Sequence, residues 1–275
     1  MGSNALEIKP IAGALGAEIG GVDLADPLDD VTFQQIHRAL LDNGVIFFRD
    51  QRITPDQQLA FAKRWGDIHL HPHIQGLDGT PEVFEIVKKE DDVHTLGGEW
   101  HTDQMFTATP VRATMLYAKQ VPPQGGDTLF ANAYLAYDTL SDGMKAMLAG
   151  LRTVNSYNMK KKRAAAMQVN DANEAPPDAE HPLIRTHNET GRKALYISYE
   201  GITKRLAGMT DAESAPLLGY RRQHATRPEF TCRFRWEEGS LAVWDNRCVQ
   251  HLAINDYHGY RRVMHRVTVN GEPTS

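Results

Sequence analysis

Seven short runs rich in β-branched and aromatic residues, all after residue 80, constrain the fold more than any other feature of this sequence. Each run lies near Gly, Pro or Asp residues, and this combination is typical of strands separated by turns. The pattern therefore predicts a mainly β protein with appended helices. The runs are 83–87, 112–118, 128–131, 194–198, 230–236, 240–244 and 261–269.

Helical patterns come before this β region and interrupt it. Apolar residues recur at helical spacing over 30–41. A second helix should begin with Thr54 as its N-cap, Pro55 at the first helical position and Gln57 at the third, where it completes a capping box with Thr54. A short buried strand is expected between these helices, at 44–48. Two helical insertions are predicted further on, near 133–150 and 211–224.

No repeat or break in composition divides the chain, so a single domain spanning 1–275 is predicted. The stretch 155–182 contains a basic run, several Asn and Asp residues and a Pro pair. Such a segment inside a compact domain is often a functional loop, and we expect a lid over the site there.

Charge and hydropathy exclude several classes of function. The net charge of −5 leaves no broad basic field, so nucleic acid is not an expected partner. No apolar stretch exceeds five residues, against the roughly 20 that a membrane span needs, so no membrane partner is expected either. The first residues lack the pattern of a secretory signal, and the two cysteines make no disulfide framework. A cytoplasmic location is therefore expected.

A metal-binding pattern appears at His101 and Asp103, with a third candidate ligand at His251. In an extended segment, side chains two residues apart project from the same face, so His101 and Asp103 can approach one ion together. The strand 240–244 should lead into a loop that carries His251. Two imidazoles and one carboxylate leave adjacent coordination positions open, which is typical of non-haem Fe(II) oxygenases.

Two arginines near the end of the chain indicate an anionic ligand. On a strand, Arg262 and Arg266 share one face, while His265 projects from the other. Unpaired buried charge is costly, so guanidinium groups close to a metal need anions to bind. A 2-oxoacid cosubstrate would supply carboxylates to the metal and to an arginine fork.

Ordered motifs occur along nearly the whole chain. They are Gly16-Ala17-Glu18-Ile19, Gly21-Val22-Asp23-Leu24, Phe48-Arg49-Asp50-Gln51, Gly66-Asp67-Ile68-His69-Leu70-His71-Pro72, Trp100-His101-Thr102-Asp103, Gly125-Gly126-Asp127-Thr128, Trp244-Asp245-Asn246-Arg247 and Arg261-Arg262-Val263-Met264-His265-Arg266. In these motifs the sequence resembles the taurine dioxygenase branch of the Fe(II)/2-oxoglutarate-dependent oxygenases. The resemblance implies a double-stranded β-helix, a form of jelly roll, with Fe(II) as cofactor and 2-oxoglutarate and O₂ as cosubstrates.

The resemblance also implies a role for individual residues. His101, Asp103 and His251 would be the iron ligands, while Thr128 and Arg262 would hold the far carboxylate of 2-oxoglutarate. Arg266 would face the anionic head of the primary substrate, with His71 beside it. Because family members are often dimers or tetramers, a homo-oligomer is expected.

Two departures from the family pattern concern the substrate. Ile74 and Gly97 stand where taurine dioxygenases carry a tyrosine and an asparagine. The loss of both polar contacts indicates a larger and more apolar pocket, with Phe106 as a candidate wall. This favours a sulfonate, alkyl sulfate or carboxylate with a longer tail over taurine.

The leading hypothesis is thus a dioxygenase that hydroxylates a C–H bond of a small anionic substrate and yields succinate and CO₂. Sulfite or another leaving group would be released where the hydroxylated product is unstable. The alternative is a non-oxygenase cupin-like metalloprotein, either a zinc isomerase or a ligand-binding module. The alternative predicts no O₂ uptake and no dependence on 2-oxoglutarate.

Overall fold

The structure, a computed structural model, describes residues 6–70, 75–157 and 177–274. Most of its elements are strands, and its helices lie at the N-terminal end and in two later insertions. In chain order the elements are β1 (Glu7–Pro10), β2 (Ala17–Gly20), α1 (Asp30–Asn43), β3 (Val45–Phe48), α2 (Pro55–Lys63), β4 (Phe84–Lys88), β5 (Ala113–Gln120), β6 (Thr128–Asn132), α3 (Ala133–Asp138), α4 (Asp142–Leu148), β7 (Arg152–Asn155), β8 (Ala179–Pro182), β9 (Ile184–Thr186), β10 (Lys193–Leu195), β11 (Thr203–Leu206), α5 (Asp211–Ala225), β12 (Thr231–Phe234), β13 (Leu241–Asp245), β14 (Val249–Ala253) and β15 (Arg262–Val269).

The two N-terminal helices begin at side-chain caps, as the sequence predicts. The Asp29 carboxylate accepts a hydrogen bond from the backbone N–H of Thr32 at the start of α1. At α2, Thr54 and Gln57 form the reciprocal capping box. Each cap satisfies backbone donors that a helix start would otherwise leave unpaired. Both helix predictions are confirmed.

A seven-stranded sheet in the order β1-β2-β3-β13-β5-β15-β4 forms the main layer. One face packs against α1 and α2 through an apolar cluster that includes Phe33, Ile36 and Phe61. The opposite face packs against a three-stranded sheet, β12-β6-β14. Phe47 of the main sheet stacks on Phe234 of the smaller sheet, with ring centroids 3.9 Å apart. Two facing sheets give the jelly-roll architecture, and the predicted fold class is confirmed.

The later helices pack around a separate apolar cluster. Leu148, Leu195, Leu206 and Leu218 are buried together there, next to the three-stranded sheet β11-β7-β8. Helices α3 and α4 lie within 133–150, and α5 covers the second predicted insertion. No helix in the described ranges is long and apolar enough to cross a membrane. The predicted lid at 155–182 lies mostly outside the described residues, since only its ends, 155–157 and 177–182, are described.

The structure corrects two local expectations. The strand predicted at 194–198 is present only as β10, which ends at Leu195. His251 lies on strand β14 and not on a loop, because 249–253 pair antiparallel with β6, with His251 opposite Phe130. The sequence of β14 has no clear alternation, so its strand character depends on this pairing with a distant segment.

Candidate metal and cosubstrate site

His101 and His251 face each other across an isolated antiparallel β-bridge. The His101 N–H donates to the His251 carbonyl at 3.0 Å, and the His251 N–H donates to the His101 carbonyl at 2.8 Å. Residues directly opposite each other on neighbouring strands project to the same side. The bridge therefore holds both imidazoles side by side, with ring centroids 4.1 Å apart.

Asp103 completes the cluster. Its Oδ1 lies 3.7 Å from His101 Nε2 and 3.8 Å from His251 Nε2. All three ligand atoms lie within 4.8 Å of one another, which suits a single ion bound by two imidazole nitrogens and one carboxylate oxygen. The structure thus brings together the three predicted ligands, although they are up to 150 residues apart in sequence.

The surroundings of both imidazoles favour the neutral form that binds a metal. His101 Nδ1 lies 2.6 Å from the Glu99 carbonyl, so this nitrogen carries the proton and Nε2 keeps its lone pair for a metal. Burial lowers the pKa of His251 well below its ordinary value, and the neighbouring His101 lowers it further. The rings of Trp244 and Phe130 pack against His251. His251 is therefore held as the neutral imidazole that a metal requires.

The second oxygen of Asp103 is fixed by two donors. Thr114 Oγ1 donates to Oδ2 at 2.7 Å, and Arg266 Nη2 lies 2.7 Å from the same oxygen. Although burial raises the pKa of Asp103, the charge of Arg266 holds it well below its ordinary value. Asp103 is thus an anion at neutral pH, with Oδ2 occupied and Oδ1 facing the two imidazoles.

A buried hydrogen-bond chain behind Asp103 sets the direction of the Thr114 hydroxyl. Asn246 Nδ2 donates to Thr114 Oγ1 at 2.9 Å, so the hydroxyl proton is left for Asp103. Trp244 Nε1 donates in turn to Asn246 Oδ1 at 3.1 Å. No sequence pattern predicted a role for Thr114 or for Asn246. Asn246 lies in one of the quoted motifs, whereas nothing in the sequence distinguishes Thr114 from any other strand threonine.

The predicted cosubstrate residues lie on the two facing sheets and meet at Trp236. The Trp236 indole N–H donates to Thr128 Oγ1 at 2.9 Å, and the Arg262 guanidinium carbon lies 5.6 Å from the indole ring centre. Arg262 is only 6% exposed, and its Nε and Nη2 have no hydrogen-bond partner. Burial lowers the pKa of Arg262 below its ordinary value. A buried guanidinium with unpaired N–H groups fits a carboxylate ligand.

The predicted substrate residues have different surroundings. Arg266 lies above the Phe84 ring as well as beside Asp103. A Cβ added to Gly97 would lie 3.1 Å from His101 Cε1, so this position borders the metal ligands. The Phe106 ring packs against Tyr157, with centroids 4.7 Å apart. His71 and Ile74 lie outside the described residues.

A second cluster of similar composition lies deeper in the protein. His187 Nε2 is 3.0 Å from Asp245 Oδ2, and Arg247 contacts both oxygens of the same carboxylate at 2.8 and 2.6 Å. Glu189 lies 2.5 Å from the other side of Arg247, and Cys248 is close by. No local sequence pattern predicts this network, because its members come from two separate segments.

A family model described as "Taurine catabolism dioxygenase TauD, TfdA family" matches residues 7–268. The chain belongs to this family. Among the relatives of this TauD/TfdA protein is the alkylsulfatase of Acinetobacter baylyi, 35% identical over 98% of this chain and 86% of its own length. The α-ketoglutarate-dependent sulfate ester dioxygenase of Pseudomonas putida is also 35% identical, over 97% of this chain and 90% of its own length.

Solved structures agree with this membership. A taurine dioxygenase from Burkholderia xenovorans superposes with a TM-score of 0.84 at 39% identity, covering 98% of this TauD/TfdA chain and 92% of the other. AAD-2, solved with Mn(II) and N-oxalylglycine, superposes with a TM-score of 0.81 at 28% identity, covering 98% and 99%.

The family membership confirms the predicted enzyme class, a 2-oxoglutarate-dependent dioxygenase that uses Fe(II) and O₂. The site fits these groups, since it offers two imidazoles, one carboxylate and a buried guanidinium. The alternative of a zinc isomerase or ligand-binding module has no support among these relatives. The roles of individual residues stay predictions.

Proposed function

We propose that this enzyme hydroxylates a C–H bond of a small organic anion with an apolar tail, and that alkyl sulfate esters are its first substrate class. The observation that carries the proposal is the position of Arg266. Its guanidinium lies 2.7 Å from the metal-facing carboxylate of Asp103 and over the apolar ring of Phe84. A cation in this position can hold an anionic head close to the metal ligands.

Separate residues of the chain bind the two anions, the cosubstrate and the primary substrate. Thr128 and Arg262 hold the far carboxylate of 2-oxoglutarate, away from the metal. Arg266 binds the head of the primary substrate and orients its nearest C–H bond toward the three ligands. When bound, Fe(II) together with 2-oxoglutarate and O₂ supplies the oxidising power for hydroxylation, and succinate and CO₂ are released.

Two features support a sulfate ester over taurine. Gly97 has no side chain that could hydrogen-bond a small polar substrate at the edge of His101. The two relatives named above are an alkylsulfatase and a sulfate ester dioxygenase. Hydroxylation of the carbon that bears the ester oxygen gives an unstable hemiacetal ester. Its C–O bond to sulfate breaks as the hydroxyl loses its proton, which yields an aldehyde and hydrogensulfate.

A screen for succinate release tests the proposal. Alkyl sulfates, alkyl sulfonates, aryloxyalkanoic acids and taurine are each supplied with Fe(II), O₂ and 2-oxoglutarate. We expect medium-chain alkyl sulfates to give the fastest release, with one aldehyde and one sulfate formed per succinate. Taurine as the best substrate would contradict the substrate class, and O₂ uptake that is independent of 2-oxoglutarate would contradict the activity.

An Arg266→Met variant tests which residue binds the anionic head. We expect it to raise the KM for alkyl sulfates while slow, uncoupled succinate release persists without substrate. Arg261→Met is the matched control, because Arg261 precedes β15 and its neighbour Arg262 takes the inward position. An unchanged KM in Arg266→Met would contradict the assignment.

We further propose a cytoplasmic homo-oligomer, a dimer or tetramer, with neither nucleic acid nor membrane as a partner. The support for this is the sequence alone: its net charge, its short apolar stretches and the family resemblance. Light scattering of the purified protein measures the oligomeric state, and a monomer would contradict this part of the proposal.

A further inference from the structure

Lys88, the last residue of β4, is buried without a hydrogen-bond partner. It is only 4% exposed, and its Nζ makes no hydrogen bond in the structure. The ammonium group lies over the ring of Tyr257, 4.5 Å from the ring centre. A ring face offsets only part of the free-energy cost of removing an ammonium group from water. We therefore expect an anionic partner at this position.

Lys88 and Arg262 are direct neighbours across the sheet. Strand β4 pairs antiparallel with β15, and the register places Lys88 opposite Arg262. Residues opposite each other project from the same face, so both side chains enter the space between the two sheets. They line one small cavity together with Tyr257, Thr95 and Leu96. Two buried cations thus face the same space.

No carboxylate in the described part of the chain forms an ion pair with either cation. Asp127, the acid that faces Arg262, accepts a hydrogen bond from Arg233 Nε at its Oδ2, over 2.6 Å. Like charges directly opposite each other on a sheet are destabilising. Two such cations left without a counter-anion are therefore best explained by a ligand that carries negative charge.

We propose that Lys88 is a second cationic contact for the far carboxylate of 2-oxoglutarate, beside Arg262 and Thr128; this rests on the proposed function. A carboxylate has about four acceptor positions, enough for a guanidinium, a hydroxyl and an ammonium group. Lys88 is assigned to the cosubstrate and not to the primary substrate because of its ladder position. At about 3.3 Å per residue, the pair Lys88–Arg262 lies roughly 13 Å along the sheet from Arg266.

The test compares two keto acids that differ at one end only. Calorimetry measures the Kd of 2-oxoglutarate and of 2-oxopentanoate, which has a methyl group in place of the far carboxylate, for the Mn(II)-loaded protein. Lys88→Met removes the charge and keeps the length of the side chain. We expect it to raise the Kd of 2-oxoglutarate by about tenfold or more, as for loss of a charged hydrogen bond, and to leave 2-oxopentanoate unchanged. Lys89→Met, at the exposed neighbouring position, should change neither Kd.

Three results would overturn the inference. An unchanged Kd of 2-oxoglutarate in Lys88→Met would show that the ammonium group does not bind it. Equal weakening of both keto acids, together with a lower melting temperature, would show that Lys88 has a structural role. Wild-type protein that binds 2-oxopentanoate as tightly as 2-oxoglutarate would contradict the cosubstrate site itself, which separates failure of the proposed function from failure of the Lys88 assignment.

Discussion

Two clusters of the structure contain the same kinds of residue, a histidine and an aspartate close to a third metal-binding side chain. In the outer cluster, His101, Asp103 and His251 direct their ligand atoms toward a common point. In the inner cluster, both oxygens of Asp245 already accept from Arg247, and His187 adds a further contact. Cys248 completes the inner group.

The difference lies in which ligand atoms are already in use. Asp103 receives its two donors, Thr114 and Arg266, on Oδ2, and Oδ1 remains directed at the imidazoles. Asp245 Oδ1 accepts from the backbone N–H and the Nε of Arg247, and Oδ2 accepts from Arg247 Nη2 and His187 Nε2. All four acceptor positions of this carboxylate are therefore in use, and none is left for an ion. Burial also raises the pKa of Cys248 above its ordinary value, so its thiol stays protonated and is a poor ligand. We therefore predict that the outer cluster binds the metal and that the inner cluster stabilises the fold.

The largest expected difference between the clusters concerns metal binding. His101→Ala removes one of three ligands and should abolish stoichiometric Mn(II) binding. This loss is greater than the roughly 10- to 100-fold loss of metal affinity caused by removing a hydrogen-bond partner of a ligand. His187→Ala should bind Mn(II) like the wild type. Calorimetry of the metal-free protein measures both. Weak binding in His187→Ala with normal binding in His101→Ala would reverse the assignment.

The free energy of unfolding should depend more on the inner cluster than on the outer one. Asp245→Asn leaves Arg247 buried beside a neutral amide, and we expect a loss of about 3–5 kcal/mol in the free energy of unfolding. Asp103→Asn should cost less, because Arg266 is more exposed than Arg247 and the amide can still accept from Thr114. Urea denaturation of the two metal-free variants makes the comparison. A greater loss in Asp103→Asn would contradict it.

Thr114 tests the hydrogen-bond chain behind the metal ligand. Thr114→Val removes the donor to Asp103 Oδ2 and should weaken Mn(II) binding by about 10- to 100-fold. Thr114→Ser keeps the hydroxyl and should restore most of the affinity. If the serine variant were as weak as the valine variant, the methyl group and not the hydrogen bond would be the important feature.

The smallest effect is a pH dependence from the outer cluster. Burial keeps the pKa of His251 below that of an unfolded histidine, so the unfolded chain takes up more protons as the pH falls below 6.5. The unfolding free energy of the metal-free protein should thus fall by on the order of 1 kcal/mol per pH unit for each such histidine. Denaturation curves at pH 6.5 and 5.5 measure this change. Constant or rising stability on acidification would contradict it.

The sequence was sufficient to propose the metal ligands that the structure brings together, because His101 and Asp103 lie two residues apart and the motifs around His251 have a recognisable order. It did not predict that His251 lies on a strand, since that depends on pairing with Phe130 far away. Thr114 and Lys88 were missed for the same reason. Lys88 lies opposite Arg262 on another strand, and Thr114 contacts Asp103 and Asn246, which come from two further segments. Such contacts are a property of the fold and not of any local pattern.

The inner cluster shows the limit of local patterns in another way. Asp245 and Arg247 were visible as a motif, but His187 and Glu189 come from a segment with no distinctive spacing. Nothing local indicates that a carboxylate will be fully occupied by a fork of hydrogen bonds. The structure was needed to separate a metal site from a structural ion pair of similar composition.

Anomalous diffraction from a crystal grown with Mn(II) tests the central claim most directly. We predict one strong peak, within bonding distance of His101 Nε2, His251 Nε2 and Asp103 Oδ1, and no peak at the inner cluster. A peak beside His187, Asp245 and Cys248, or a Mn(II)-bound protein with no peak at the outer cluster, would contradict the account.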